Sequence, residues 1–323
     1  MEIKSILKAT WVYKQYEILK LKSRFKRKDG KLYCVIWPSN NFMGPFSAVF
    51  CLLEKIKWLD ENGVIPVIDL KQYPEVCMQD IEYYSRENAW TYYFKQPVEE
   101  IDLDALDEEY TYTMGNNWNR QIVLYPQYED VFLYKGKKYS EIKSLFKKYI
   151  HFSDRVLYIA NNNTIINKIN DGRVLGVSIR AEFAYGKELG ESLYLGHPIV
   201  NSIDYYVAEI EDRLRRWKCD YAFIQVDDLK WKNEICNKLK DKCIFIERPL
   251  MRLYNDDLSP ITDFKNSNRF TGIRKRNEEY IAECILLSKC SCFIGTKGLG
   301  CAAIYYMKDV EFEHVEFWEH GRI

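Results

Sequence analysis

The sequence predicts an α/β protein of two lobes, each built on a mostly parallel sheet with helices on its faces. Three observations carry this. The 323 residues exceed what one typical core organises and fit two domains of roughly 150 residues. Short apolar runs alternate with amphipathic stretches of roughly ten to sixteen residues, the pattern of strand–helix–strand crossovers. Polar, glycine-bearing loops follow several of those runs, and open α/β sheets bind ligands outside the carboxyl ends of their strands. The division is expected at 170/171, giving an N-terminal domain 1–170 and a C-terminal domain 171–323.

Residues 3 to about 28 place Ile6, Leu7, Trp11, Tyr13, Tyr16, Ile18, Leu19 and Leu21 among lysines, which predicts one long amphipathic helix or two short ones, ended by Gly30. Leu32 to Trp37 (LYCVIW) is an apolar run short enough for a buried strand, and Pro38 stops it. The loop PSNNFMGPF feeds a helix with the stripe Phe46, Val49, Phe50, Leu53, Ile56 and Leu59, closed by Gly63 at C′. Val64 to Asp69 is the next strand, completing the opening of a Rossmann-like half. Gly44 sits in the loop where backbone approaches phosphate in such units, because glycine has no side chain to hold a ligand off. From Lys71 to Ile150 the pattern is poorer. Asn88 to Pro97 (NAWTYYFKQP) is an aromatic cluster that either plugs a core or lines a pocket, core being favoured. MGNNW at 114–118 reads as a turn, and Tyr139–Tyr149 and Asp154–Ile169 read as helices.

The second half is more regular. Strands are expected at Val174–Ile179, Tyr221–Val226, Cys243–Ile246 and Ser291–Gly295, with helices at Ser202–Trp217, Lys230–Leu239, Arg276–Ser288 and from the glycine-rich loop through Met307. Right-handed crossovers then bring the loops that follow the strands to one sheet edge.

Composition narrows the function classes. Lysine plus arginine and aspartate plus glutamate both total 47, so a dedicated nucleic-acid binder is disfavoured. The 25 tyrosines suit stacking on sugar rings, and an A/T-rich genome produces the same excess. Ten cysteines, mostly within apolar patterns and without CxxC pairs or zinc spacing, point to a reducing, cytoplasmic compartment and to no metal site. No apolar core of a signal peptide and no membrane span are visible. The basic run KLKSRFKRKDGK at 20–31 is either a solvated helix face or a peripheral contact with the inner membrane face.

Three loops carry the chemistry. Arg180 closes the strand GVSI, where its planar fork suits a phosphate; an ordinary surface ion pair is the bland alternative. Asp227 and Asp228 follow the next strand and either bind a ribose, a base or a metal, or cap the following helix. Gly295–Gly300 (GTKGLG) lies between a strand and a helix. Its amides, the Thr296 hydroxyl and the Lys297 charge suit a pyrophosphate, unless the glycines only pack helix on sheet. Lys297 precedes Gly298, so this is not a Walker A loop, and its position disfavours a nicotinamide site. His197, before Pro198, either hydrogen-bonds a phosphate or shapes its loop.

The ordered motifs resemble the fucosyltransferase-like glycosyltransferases of the GT-B superfamily, the α1,6-fucosyltransferase, NodZ and protein O-fucosyltransferase group, especially bacterial surface-polysaccharide members. GVSIRAEF is similar to that group's GVHxRxTD, FIQVDD to FLATDD, and LLSKCSCFIGTKGLG to LLSKCDYLIGSxSS; FMGPFSAVF and NAWTYYFKQP also match in order. The resemblance runs from about residue 32 to the C-terminus. It implies two Rossmann-like domains facing a central cleft, a C-terminal nucleotide-sugar domain, an N-terminal acceptor-side domain, and inverting transfer from GDP-fucose to a glycan acceptor without metal or other cofactor. Residue by residue, it implies Arg180 on the donor β-phosphate, Asp227 or Asp228 on the nucleoside, Thr296, Lys297 and Gly298 on the pyrophosphate, and Gly44 approaching from the other domain. Ser178, Ala181 and Phe183 stand where the group has histidine, a second arginine and aspartate; Ser47 and Ala48 replace its Gly-Asn. Glu182, beside the displaced carboxylate position, either substitutes as base or ligand or is an exposed helix-cap or loop carboxylate. The same departures fit a catalytically degenerate protein that binds a nucleotide or glycan as a scaffold.

Overall fold

The computed structural model describes residues 15–16, 19, 22–23, 30–38, 44–71, 78–84, 86–98, 101, 111–113, 131–133, 135–181, 200–246 and 272–319. The chain divides into two compact units, Met1–Ser153 and Asp154–Ile323. The division therefore falls before 154, not at 170/171. The intervening residues form two helices of the second unit, α4 (Asp154–Asn161) and α5 (Ile165–Asp171), and α4 packs along the helix Ile273–Lys289.

In the first unit, β1 (Tyr33–Ile36), α1 (Pro45–Glu61) and β2 (Ile65–Ile68) follow the expected order, and β1 and β2 pair in parallel with Tyr33 opposite Ile65. Pro45 opens α1 at a position whose N–H has no helical partner in any case. Gly63 ends it at φ +69°, with Gly63 N–H on the Asp60 carbonyl (2.9 Å) and Val64 N–H on that of Leu59 (2.9 Å), the paired bonds of a Schellman turn. A third parallel strand, β3 (Thr111–Thr113), lies on the other side of β1. Its three residues are too short a run for periodicity to reveal. The cluster around α2 (Trp90–Tyr93) is core: Trp90, Tyr93 and Phe94 are fully buried, and Phe94 meets Phe46 edge-on at 6.4 Å. Next, α3 (Lys137–Tyr149) packs on α1 through Phe146 and Phe50, 6.0 Å apart. The turn expected at 114–118 and most of the basic run 20–31 lie outside the described residues.

The second unit holds a five-stranded, wholly parallel sheet. Its strands are β4 (Val174–Ile179), β5 (Tyr221–Val226), β6 (Cys243–Ile244), β7 (Cys292–Thr296) and β8 (His314–Trp318), in the spatial order β6-β5-β4-β7-β8. The helices α6 (Ile203–Arg216) and α7 (Leu229–Leu239) cover one face, burying Tyr206, Ile210, Trp231 and Ile235 against Leu175, Val177, Ile224 and Ile294. On the opposite face lie α8 (Ile273–Lys289) and α9 (Leu299–Met307). Helices on both faces of a parallel sheet make this a doubly wound α/β unit. The sequence reading did not identify β8, whose His314 and Glu316 interrupt its apolar pattern.

Candidate functional site

In a doubly wound sheet the ligand crevice forms where strand order reverses, because the loops leaving the two central strands diverge to opposite faces. Here that point lies between β4 and β7: the chain runs from β4 outward through β5 and β6, then returns to β7 on the other side. Arg180 follows β4, Asp227 and Asp228 follow β5, and Thr296 ends β7. The three loops singled out from the sequence thus share the carboxyl edge at the switch point.

Strand alternation sorts their side chains. Leu175, Val177, Ile179 and Ala181 enter the core under α6 and α7. Gly176 and Ser178 face α8, where a Cβ on Gly176 would come within 3.1 Å of Leu287 and the Ser178 hydroxyl joins Gln225 (2.8 Å), itself bonded to Cys284 (3.3 Å). Arg180 is in phase with this second set, and its charge acts on Tyr280 of α8, Cys301 of α9 and Asp227.

The backbone leaving β4 is clamped from both neighbouring strands. The Arg180 N–H donates to Thr296 Oγ1 (3.3 Å), and the Ala181 N–H donates to Asp227 Oδ1 (2.7 Å). Thr296 is almost fully buried and also bonds Tyr206, whose hydroxyl accepts the Asn201 N–H at 3.3 Å. Burial pushes the Tyr206 phenol up to about 12. The guanidinium of Arg180 therefore projects from a backbone whose course is fixed, and Arg180 itself is partly buried.

The two aspartates have separate roles. Asp228, 2% exposed, is the N-cap of α7 and accepts the Trp231 N–H at 2.8 Å. Asp227 turns toward the β4 loop instead. Burial pushes its carboxyl up to about 6, against the opposing pull of the Arg180 charge and the Ala181 N–H. A carboxyl titrating near neutrality beside a cation can change charge when an anionic ligand arrives.

In the glycine-rich loop, Lys297 Nζ pairs with Glu319 Oε1 at 2.8 Å, just beyond β8, so its charge is already matched within the protein. Gly298 caps α9 in an extended conformation, and the first turn of α9 begins at this edge. Gly295 is held by packing: an added Cβ would lie 2.9 Å from Cys301 Sγ and 3.2 Å from the Ser178 carbonyl oxygen. In the first unit, Gly44 precedes α1 at φ −71°, and a Cβ there would meet nothing within 4 Å. Neither conformation nor packing within the described residues requires glycine at that position.

Glu182 and His197 lie outside the described residues. Tyr280 and Tyr206 escaped the sequence reading. Tyr280 had a usable signal, since it shares one helical stripe with Cys284 and Leu287, which touch the sheet. Among the described residues, no group of three or more His, Cys, Asp or Glu side chains could hold a metal ion, and no helix is long and apolar enough to cross a membrane.

No family model matches the chain, and no curated protein matches it. Among solved structures, the fucosyltransferase NodZ from Bradyrhizobium aligns with 88% of this chain and 96% of its own, at 10% identity and a TM-score of 0.47. The NodZ α-1,6-fucosyltransferase soaked with GDP-fucose aligns with 88% of this chain and 95% of its own, at 10% identity and a TM-score of 0.46. POFUT1 in complex with GDP aligns with 98% of this chain and 82% of its own, at 12% identity and a TM-score of 0.38. These neighbours come from the group that the sequence motifs resemble, but at such identities and scores the likeness by itself assigns neither a family nor an activity.

Proposed function

We propose that the chain is a glycosyltransferase of the GT-B type, using a nucleotide-sugar donor held by the second unit. One observation carries the reading: Arg180, Asp227 and Thr296, which come from three motifs scattered along the sequence, meet at the switch point, with the β4 loop clamped between the flanking strands. A rigidly mounted guanidinium beside the start of a helix suits a diphosphate. GDP-fucose is the proposed donor, and the acceptor a glycan of cell-surface polysaccharide synthesis. The proposed setting is cytoplasmic, with peripheral membrane contact through the basic N-terminal run.

In this reaction the bond between the sugar anomeric carbon and the β-phosphate oxygen breaks, and its electron pair stays on the departing GDP. Arg180 stabilises that developing charge, which is where a fixed cation contributes most to rate. An acceptor hydroxyl attacks from the opposite face and gives up its proton, inverting the anomeric centre. Glu182 is the proposed base. Asp227, close to neutral pKa, adjusts its charge to the arriving diphosphate.

Isothermal calorimetry with GDP and GDP-fucose tests the reading, these being the ligands named for the solved neighbours. The expected result is binding of both, weakened about 100-fold or more by Arg180→Ala. Absence of binding by either nucleotide, or an Arg180→Ala variant that binds as the parent does, ends it.

A second reading has its own observation. Ser178 is committed to Gln225, and Ala181 is wholly buried in the core, so neither position offers the ligand contact that the resembled group places there. That favours a protein that binds the nucleotide without turning it over. Release of GDP from GDP-fucose in the presence of a glycan acceptor excludes it.

A further inference from the structure

Buried amides serve different ends in the two units. Asn88 and Gln96, in the first, bond backbone groups of Ile68 and Leu70 that burial would otherwise leave unsatisfied. Gln225, in β5 and 3% exposed, spends its amide on side chains: its Oε1 accepts from Ser178 Oγ of β4 at 2.8 Å, and its Nε2 donates to Cys284 Sγ of α8 at 3.3 Å. Leucine at 225 and alanine at 178 would fill this space with no polar group to satisfy, so the backbone does not call for the network. A buried network costs desolvation at each member and holds its members in one arrangement.

The place of Gln225 in the sheet shows what is being arranged. Ser178 and Gln225 stand opposite each other in the register of β4 and β5. Two residues further along each strand come Arg180 and Asp227, and the Asp227 carboxyl accepts the Ala181 N–H at 2.7 Å. The amide therefore forms the floor beneath the two charged groups. The helix α8 meets this floor at two heights: Leu287 closes on Gly176, where a Cβ would lie 3.1 Å away, and Cys284 takes the Gln225 amide. Four helical residues rise about 6 Å and two strand residues about 6.6 Å, so Tyr280, one turn before Cys284, comes level with Arg180 and Asp227.

We propose that Gln225 is a positioning residue, which through Ser178 and Cys284 holds β4, β5 and α8 in the arrangement that lets Arg180 receive the terminal phosphate of a nucleoside diphosphate. The assignment rests on the reading of this edge as a nucleotide-sugar site. Gln225 itself lies one layer below the ligand. Without its amide, α8 keeps the contact at Gly176 but loses its upper tether, and the wall beside Arg180 shifts with it. Because the effect passes through Arg180, it falls on the β-phosphate and spares the nucleoside.

The test is isothermal calorimetry of the full chain with GDP and with GMP, beside urea unfolding of each variant. Gln225→Leu is expected to weaken GDP about 10-fold and to leave GMP unchanged. Ser178→Ala/Gln225→Leu, which leaves only the Cys284 thiol in the floor, should regain the parent's urea midpoint and keep the weak GDP binding. Gln96→Leu, at a buried amide of the first unit, should lower the urea midpoint and bind both nucleotides as the parent does. Should Gln225→Leu fail to fold, Gln225→Met and the double variant carry the same comparison. Unchanged GDP binding overturns the role of Gln225. So does an equal weakening of GDP and GMP, or a GDP affinity that returns with the urea midpoint in the double variant. A parent chain that binds no GDP is a different failure, which removes the nucleotide reading and this assignment together.

Discussion

The two units end their parallel strands in different ways. In the first unit, amides and an ammonium from elsewhere in the chain close the carboxyl end of the sheet. Asn88 accepts the Leu70 N–H (3.0 Å) and donates to the Ile68 carbonyl (2.7 Å), and Gln96 bonds both the N–H and the C=O of Ile68 at 2.8 and 2.9 Å. Lys55, 2% exposed, donates to the Trp37 carbonyl at 3.1 Å. In the second unit the backbone leaving β4 is held instead by Thr296 and Asp227 on the neighbouring strands, beside Arg180 at the edge. The same topology thus yields one end sealed by amides and an ammonium brought over from elsewhere in the chain, and another where the strands clamp each other.

Four substitutions sharpen or break this contrast. The largest effect is expected for Asn88→Ala, which leaves the Leu70 N–H and the Trp90 N–H without their buried acceptor. A loss of about 3 kcal/mol in urea unfolding is expected, and a loss under 1 kcal/mol would show that this edge is not sealed by side chains. Asp227→Asn should act in the opposite direction. In the folded chain the Asp227 carboxyl titrates at about 6, above its unfolded value of about 3.9, so the folded state holds a proton that the unfolded state has lost. Its contribution to stability therefore falls as pH rises from about 4 to about 6 and is flat above. The asparagine variant should be about 2 kcal/mol more stable than the parent at pH 7 and equal to it near pH 3.5, read from unfolding midpoints across pH. Asp228→Ala removes the α7 cap and should cost about 1 kcal/mol, with no change in that pH profile. Lys297→Met removes the pair with the exposed Glu319 and should shift stability by about 0.5 kcal/mol or less; a larger loss would make this lysine part of the packed structure.

Much of the second unit was legible because each of its central strands is a short apolar run cut off by a polar residue. Arg180, Asp227 and Thr296 are those cut-off points. The chain order also showed that two aspartates share one loop, but which of them caps α7 depends on the face each takes, and only the folded alternation separates Asp228 from Asp227. The partner of Lys297 was hidden for a related reason: Glu319 follows β8, a strand whose charged residues masked it, so the lysine looked unpaired and ready for a phosphate. Tyr206 and Tyr280 join the site through packing across the two sheet faces; only the helical stripe that Tyr280 shares with Cys284 and Leu287 hinted at this in the sequence. The domain division was misplaced because α4 and α5 precede the first strand of the unit they belong to, where the alternating pattern has not yet begun.

Gly295 has a bearing on how the site can be rebuilt. Within GTKGLG it is the residue against which Cys301 and the Ser178 carbonyl close, so it sets how near α9 can stand to the strand edge. Gly298 has no such neighbour, its Cβ position lying 3.8 Å from the Thr296 carbonyl oxygen. Libraries that probe this loop can therefore diversify 298 freely. Those that touch 295 would move the whole helix and lose the edge they set out to retune.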